Sequence, residues 1–213
     1  MHFISEELEH YVANHSQKEP ELLAALNRET HQKILQPRML SGHFQGRVLS
    51  MLSKLIRPMH ILEIGTYTGY ATLCLCEGMQ KNGTVDTIDI NEELATIQEK
   101  YFGLSSWCNQ IKQHIGNAVD IIPTLEKKYD LVFIDADKEN YLIYFELIVP
   151  KMDVGGIILS DNVLWSGKVL ETPDPRDVST NVLLEYNKKI NQDPRVETVL
   201  LPIRDGLTVS RVL

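Results

Sequence analysis

The sequence predicts an α/β fold: a mostly parallel sheet with helices on both faces, finished by an antiparallel C-terminal hairpin and preceded by a helical N-terminal extension. Three observations carry this. From residue 59 onward short apolar runs alternate with segments of helical period, the pattern of parallel strands joined by right-handed crossovers. Two runs, YDLVFIDA and GGIILSD, are almost continuously apolar, which suits central strands buried on both faces. The last two runs, RVETVLLP and GLTVSRVL, are separated only by IRD, a connection short enough to imply a hairpin.

In chain order, residues 1 to about 57 read as helices only. Pro20 opens EPELLAALNRETHQKIL, in which Leu22, Leu23, Leu26, Thr30 and Ile34 fall near one face, and Pro37 ends it. A further helix starts near Gly42 and carries Val48, Leu49, Leu52, Leu55 and Ile56 at helical spacing until Pro58. The strands HILEIG, TVDTID, QIKQHIG, YDLVFIDA and GGIILSD follow, with helical segments at 69–81, 91–103, 117–127 and 138–150. One more helix, near 177–191, precedes the hairpin. No repeat, low-complexity tract or linker divides the chain, so residues 1–213 are expected to form one domain with 58–213 as its α/β core.

Composition narrows the function. The 213 residues include 21 Lys plus Arg against 29 Asp plus Glu, and the net charge of −8 repels nucleic acid and anionic membranes. MHFISEELEHYV has no basic stretch leading into an apolar core, and no apolar run approaches the roughly 20 residues that span a bilayer, so a cytoplasmic location is expected. Cys74, Cys76 and Cys108 form no pair of CxxC motifs, which speaks against a disulfide framework or a zinc finger and for buried small hydrophobes.

Ligands of open α/β sheets bind beyond the carboxyl ends of the strands, so chemistry is sought there. Ile61–Tyr70 places Gly65 and Gly69 where a strand bends into a helix, leaving bare backbone for a ligand to approach. The spacing is GxxxG and not the GxGxxG of dinucleotide binders. Asp89 ends the next strand 24 residues beyond Gly65, where a carboxylate can accept hydrogen bonds from both ribose hydroxyls. Together they indicate a nucleoside-containing cofactor, although a tight turn and an Asp capping a helix would read the same. If the fourth and fifth strands are neighbours, Asp135, Asp161 and Asn162 converge as two carboxylates and an amide oxygen, a hard-oxygen set for Mg²⁺, Mn²⁺ or Ca²⁺. Singly, each is more often a cap or turn former. Lys138 follows Asp135 by three residues and can face the same site, where a lysine beside a bound cation gives up its proton more readily. A nicotinamide dehydrogenase and a serine hydrolase are disfavoured. There is no GxGxxG or GxSxG, and none of the eight tyrosines is followed four residues later by lysine.

The blocks LEIGTYTGYATL, TIDIN, FIDADKENY and LSDNVLWSGKV resemble the metal-dependent small O-methyltransferases, the family of the catechol and caffeoyl-CoA O-methyltransferases. The resemblance covers residues 37–213 and implies a Rossmann-like class I methyltransferase with a seven-stranded sheet and S-adenosylmethionine as cofactor. By resemblance, Glu63, Gly65, Tyr67, Thr68, Gly69, Tyr70 and Ala71 form the loop around the methionine half of the cofactor, and Met39, in PRMLSGHFQG, matches the family's methionine just before the helix that closes over it. Asp89 and Ile90 match the ribose side, and Asn117 with Ala118 the adenine side. Asp135, Asp161 and Asn162 match the metal ligands, Mg²⁺ being the first expectation, and Lys138 the general base. Ala71 departs from the family, many of whose members have a cofactor-contacting Ser there.

The implied reaction is methyl transfer to a hydroxyl of a small catechol-like or caffeoyl-type aromatic, with Trp165 and Asp205 as candidate substrate contacts. For Trp165 a core role, and for Asp205 a plain hairpin turn, are the simpler readings. The alternative acceptor is 5-hydroxyuridine at the tRNA wobble position, for which Arg38, Arg47, Lys54 and Arg57 would supply local positive charge against the net −8. A non-catalytic binding module would leave the metal and base positions without a purpose. A homodimer is also expected, the apolar faces of the N-terminal helices offering an interface.

Overall fold

A computed structural model describes residues 5–213; the first four residues of the N-terminal reading lie outside the described residues. Three helices come first: α1 (Glu6–Asn14), α2 (Glu21–Lys33) and α3 (Gly42–Ile56). The core then alternates β1 (His60–Ile64), α4 (Tyr70–Cys76), β2 (Thr84–Asp89), α5 (Ala95–Leu104), β3 (Ile111–Ile115), α6 (Ala118–Thr124), β4 (Tyr129–Ile134), α7 (Tyr141–Ile148) and β5 (Met152–Asp161). The chain ends with α8 (Val178–Gln192), β6 (Val196–Leu201) and β7 (Leu207–Val212).

The strands form one seven-stranded sheet in the order β3-β2-β1-β4-β5-β7-β6. β1 to β5 are parallel, while β7 pairs antiparallel with both β5 and β6, as the short final connection predicts. Two apolar layers cover its faces. One packs Tyr141, Phe145, Ile148, Leu183 and Tyr186 of α7 and α8 on the sheet, and the other packs Leu23, Leu26, Leu49, Leu73 and Phe102 of α2 to α5. β4 shows why its text is so apolar: Leu131, Val132, Phe133 and Ile134 are all fully buried, alternating between the two layers.

The helices are shorter than their periodic segments. α4 stops at Cys76, and just beyond it the α3 backbone at Ser53 and Lys54 lies so close to Gly78 that only glycine fits there. α6 stops at Thr124 beside Pro123, and the 138–150 segment begins and ends in 3₁₀ turns, Lys138–Asn140 and Val149–Lys151, around α7. α2 ends at Lys33, leaving Ile34 extended, and Pro37 opens a 3₁₀ turn instead of ending a helix. Cys74 and Cys76 are buried as expected, whereas Cys108 is exposed. Among the described residues no helix is long and apolar enough to cross a membrane.

Candidate active site

Register brings the candidate residues to one rim. Ile64 pairs with Ile88 on one side and with Ile134 on the other, and Ile134 pairs with Ser160. The residue after each, namely Gly65, Asp89, Asp135 and Asp161, therefore emerges at the same level. The rim is centred where the strand order reverses, between β1 and β4.

Gly65 is required by close approach. Its φ is +101°, and a Cβ there would overlap the carbonyl oxygen of Asp135. Ladder bonds lock that contact, Gly65 N–H donating to Ile88 O at 2.9 Å and Asp135 N–H to Ile64 O at 2.8 Å. Gly69, at φ +89°, precedes α4 with the ring of Phe102 where a side chain would go. Between them Tyr67 N–H donates to Asp89 Oδ2 at 2.6 Å, and Asn91 N–H donates to Asp89 Oδ1 at 2.8 Å. Burial raises the Asp89 carboxyl, and these backbone donors oppose the rise. Met39, Tyr70 and Ala71 join Gly65, Tyr67 and Asp135 in lining a small cleft between the N-terminal segment and the rim. Tyr67 also donates its hydroxyl to Gln36 O at 2.8 Å, tying the turn to that segment.

Thr68 is set apart from the cleft: it is fully buried and accepts from Thr30 Oγ1 at 3.2 Å. Ile90 is 75% exposed beside Asp89. Asn117 caps α6 by accepting from Val119 N–H at 3.0 Å, and Ala118 is buried; Gly116 N–H donates to Asp89 O at 2.8 Å, so this helix start adjoins the end of β2.

Glu63 lies beneath the turn, fully buried. Its Oε2 accepts from the hydroxyls of Thr72 and Thr87, while Oε1 has no hydrogen-bond partner among the described residues. Burial pushes its carboxyl up to about 8 despite the two threonines, and the charges of Asp135 and Asp89 push the same way. An orphaned acceptor below a turn too crowded for side chains fits a cofactor that presents a cationic, hydrogen-bonding end there.

The other half of the rim is built around Lys138. Its ammonium is nearly buried; it donates to Tyr141 Oη at 2.6 Å and to Asp135 Oδ1 at 3.3 Å, and lies 4.6 Å from the Tyr141 ring centroid and 5.9 Å from that of Trp165. Tyr141 in turn donates its hydroxyl to Asp161 O at 2.9 Å. Asp161 is raised by burial and then by the charge of Asp135, with Lys138 pulling the other way. Asn162 N–H donates to Asp161 Oδ1 at 2.8 Å, and Asn162 itself takes φ 59°. Two carboxylates at adjacent strand ends, beside an Asn amide, are a donor set a hard divalent cation would fit. Among the described residues no three His, Cys, Asp or Glu side chains cluster as a metal site, so a cation here would need the amide as its third protein ligand.

Trp165 and Ser166 also have positive φ, 48° and 54°. The hairpin loop holds this strained stretch: Leu164 N–H donates to Asp205 O at 2.9 Å, and Ser166 N–H donates to the Asp205 carboxylate. Asp205 thus acts through the backbone that carries Trp165. Of the basic residues behind the tRNA alternative, Arg47 and Lys54 both pair with Glu77, at 2.6 and 2.8 Å, and Arg47 is buried, while Arg38 and Arg57 are exposed. A cavity of about 310 Å³ between α8 and β6 is lined by none of these residues. Three residues that sequence reasoning missed, Gln45, Tyr141 and Arg204, sit within or beside its motifs. Helical spacing marks the apolar face of α3 but not the polar Gln45, and nothing in FIDADKENY singles out Tyr141.

Residues 13–213 match the family described as O-methyltransferase. The chain belongs to that family. A caffeoyl-CoA O-methyltransferase of Nicotiana tabacum is 35% identical over 205 residues, covering 91% of this chain and 85% of its own. The O-methyltransferase TomG of Streptomyces achromogenes, solved with S-adenosylmethionine, superposes with a TM-score of 0.90 at 26% identity, covering 97% of this chain and 96% of its own. An O-methyltransferase of Bacillus cereus, solved with S-adenosylhomocysteine, gives 0.90 at 26% identity and 97% of both chains. The class I methyltransferase fold and the O-methyltransferase membership expected from the sequence are thereby borne out.

Proposed function

We propose that this O-methyltransferase transfers a methyl group from S-adenosylmethionine to one hydroxyl of a small aromatic vicinal diol, at a divalent-cation site formed by Asp135, Asp161 and Asn162. The observation that carries the reading is the convergence of Asp135, Lys138 and Asp161 on one rim beside the Gly65–Gly69 turn. When bound, the cofactor supplies an electrophilic sulfonium methyl, and a cation chelated by both hydroxyls would lower the pKa of the attacking one.

The chain's own residues do the rest. The Gly65–Gly69 turn would receive the methionine half, with the orphaned Glu63 oxygen as an acceptor for its ammonium. Asp89, already fixed by two backbone donors, keeps lone pairs for ribose hydroxyls. Lys138, once deprotonated, takes the hydroxyl proton, and its contact with Tyr141 holds it beside Asp135. Trp165 offers an aromatic wall to a planar acceptor, its ring close to Lys138. The engagement of Arg47 and Lys54 by Glu77 supports a small acceptor over tRNA.

The test supplies labelled S-adenosylmethionine with a small vicinal diol aromatic and, in parallel, with tRNA lacking wobble modification. Transfer to the diol alone is expected. Transfer to tRNA alone would replace the proposed acceptor.

A further inference from the structure

Gln45 is 2% exposed, on the first turn of α3, and its amide is spent on two partners far apart in sequence. Nε2 donates to Asp161 Oδ2, and Oε1 accepts from Arg204 Nη1 at 2.5 Å. The same guanidinium nitrogen donates to the carbonyl oxygen of Ser41, just before α3. Arg204 belongs to the β6–β7 loop and takes φ 48°.

The chemistry of these groups leaves one orientation for the amide. A guanidinium has donors only and an ionised carboxylate acceptors only, so Gln45 must turn its oxygen to Arg204 and its NH₂ to Asp161. With Oδ2 held by Gln45 and Oδ1 by Asn162 N–H, the Asp161 carboxylate is pinned at both oxygens. Each oxygen keeps a further lone pair.

We propose that Gln45, oriented by Arg204, is the positioning residue that aims the Asp161 carboxylate at the cation site. This rests on the reading above that Asp161 is a cation ligand. It assigns to α3 and to the hairpin loop a part in cation affinity that neither has through direct contact. Hydrogen-bond partners that orient metal-binding side chains typically contribute 10- to 100-fold in affinity.

The test uses the full chain, with Mn²⁺ as probe followed by electron paramagnetic resonance, and S-adenosylhomocysteine affinity measured by calorimetry without divalent metal. Gln45→Leu and Arg204→Met should each weaken Mn²⁺ binding about tenfold or more, with S-adenosylhomocysteine affinity within about twofold of wild type. The double variant should be no weaker than Gln45→Leu alone, because both act through one amide. Arg204→Lys, which retains a donor, should recover most of the affinity. Arg204→Met lies in a loop and serves if Gln45→Leu does not fold. Unchanged Mn²⁺ affinity in both single variants, with loss in Asp161→Ala, overturns the role of Gln45 and leaves the cation site standing. Mn²⁺ binding unaffected even by Asp161→Ala overturns both.

Discussion

Lys138 donates a 2.6 Å hydrogen bond to Tyr141, one turn further on, and Tyr141 donates its hydroxyl to the carbonyl of Asp161. The ammonium is thereby held over the gap between the two strand ends that carry Asp135 and Asp161. Tyr141→Phe should leave cofactor affinity within about twofold and lower kcat about tenfold or more, within the range general acid–base groups contribute. Lys138→Ala should lower kcat further, toward 10²–10⁴-fold. Steady-state kinetics beside calorimetric cofactor titration make the comparison, and an unchanged rate in Lys138→Ala at neutral pH would remove the lysine from the mechanism.

Glu63 makes stability depend on pH. With its carboxyl near 8 in the folded chain against 4.5 ordinarily, the native state binds a proton that the unfolded state has lost between those values. The contribution is whole below about 4.5 and disappears as the pH rises through 8. Without cofactor, Glu63→Gln should therefore melt higher than wild type above pH 8, by at least the 2–4 °C that about 1 kcal/mol produces in a chain of this size. Melting curves from pH 5 to 9 check it, and parallel curves for the two proteins would count against a buried, protonated Glu63.

Gly65→Ala places a methyl group on the carbonyl oxygen of Asp135 at a φ that side chains avoid. A loss of at least 1–3 kcal/mol of stability is expected from backbone strain alone, together with loss of cofactor binding. Gly103→Ala, where a side chain would meet open space, is the control and should change little. Denaturant midpoints and calorimetry measure both.

The strands were legible because burial on both faces writes itself as unbroken apolar text, as in VFI of β4 and IIL of β5. Their carboxylate ends were legible too, since a charge after such a run has only the rim to occupy. Helix lengths were not: α4 ends at Cys76, short of the periodic segment, and the close packing of the α3 backbone on Gly78 just beyond it is a contact absent from local periodicity. The Gln45–Arg204 pairing was equally hidden, joining residues 159 positions apart whose types are unremarkable on their own. Asp205 shows the opposite case, where the plain turn reading and the site reading meet in one residue that shapes the loop carrying Trp165.

Trp165 sits on a backbone strained at its own position and the next. If that strain presents the ring to a planar acceptor, Trp165→Ala should raise KM for an aromatic diol by about tenfold with cofactor affinity unchanged. An unaltered KM would assign the ring to packing alone.

The most direct test of the proposed chemistry is methyl transfer to an aromatic vicinal diol measured with Mg²⁺ and again with excess chelator, in wild type and in Asp161→Ala. The account predicts product with Mg²⁺, its loss on chelation, and little product from the variant under either condition. Transfer that persists at full rate in chelator would contradict it.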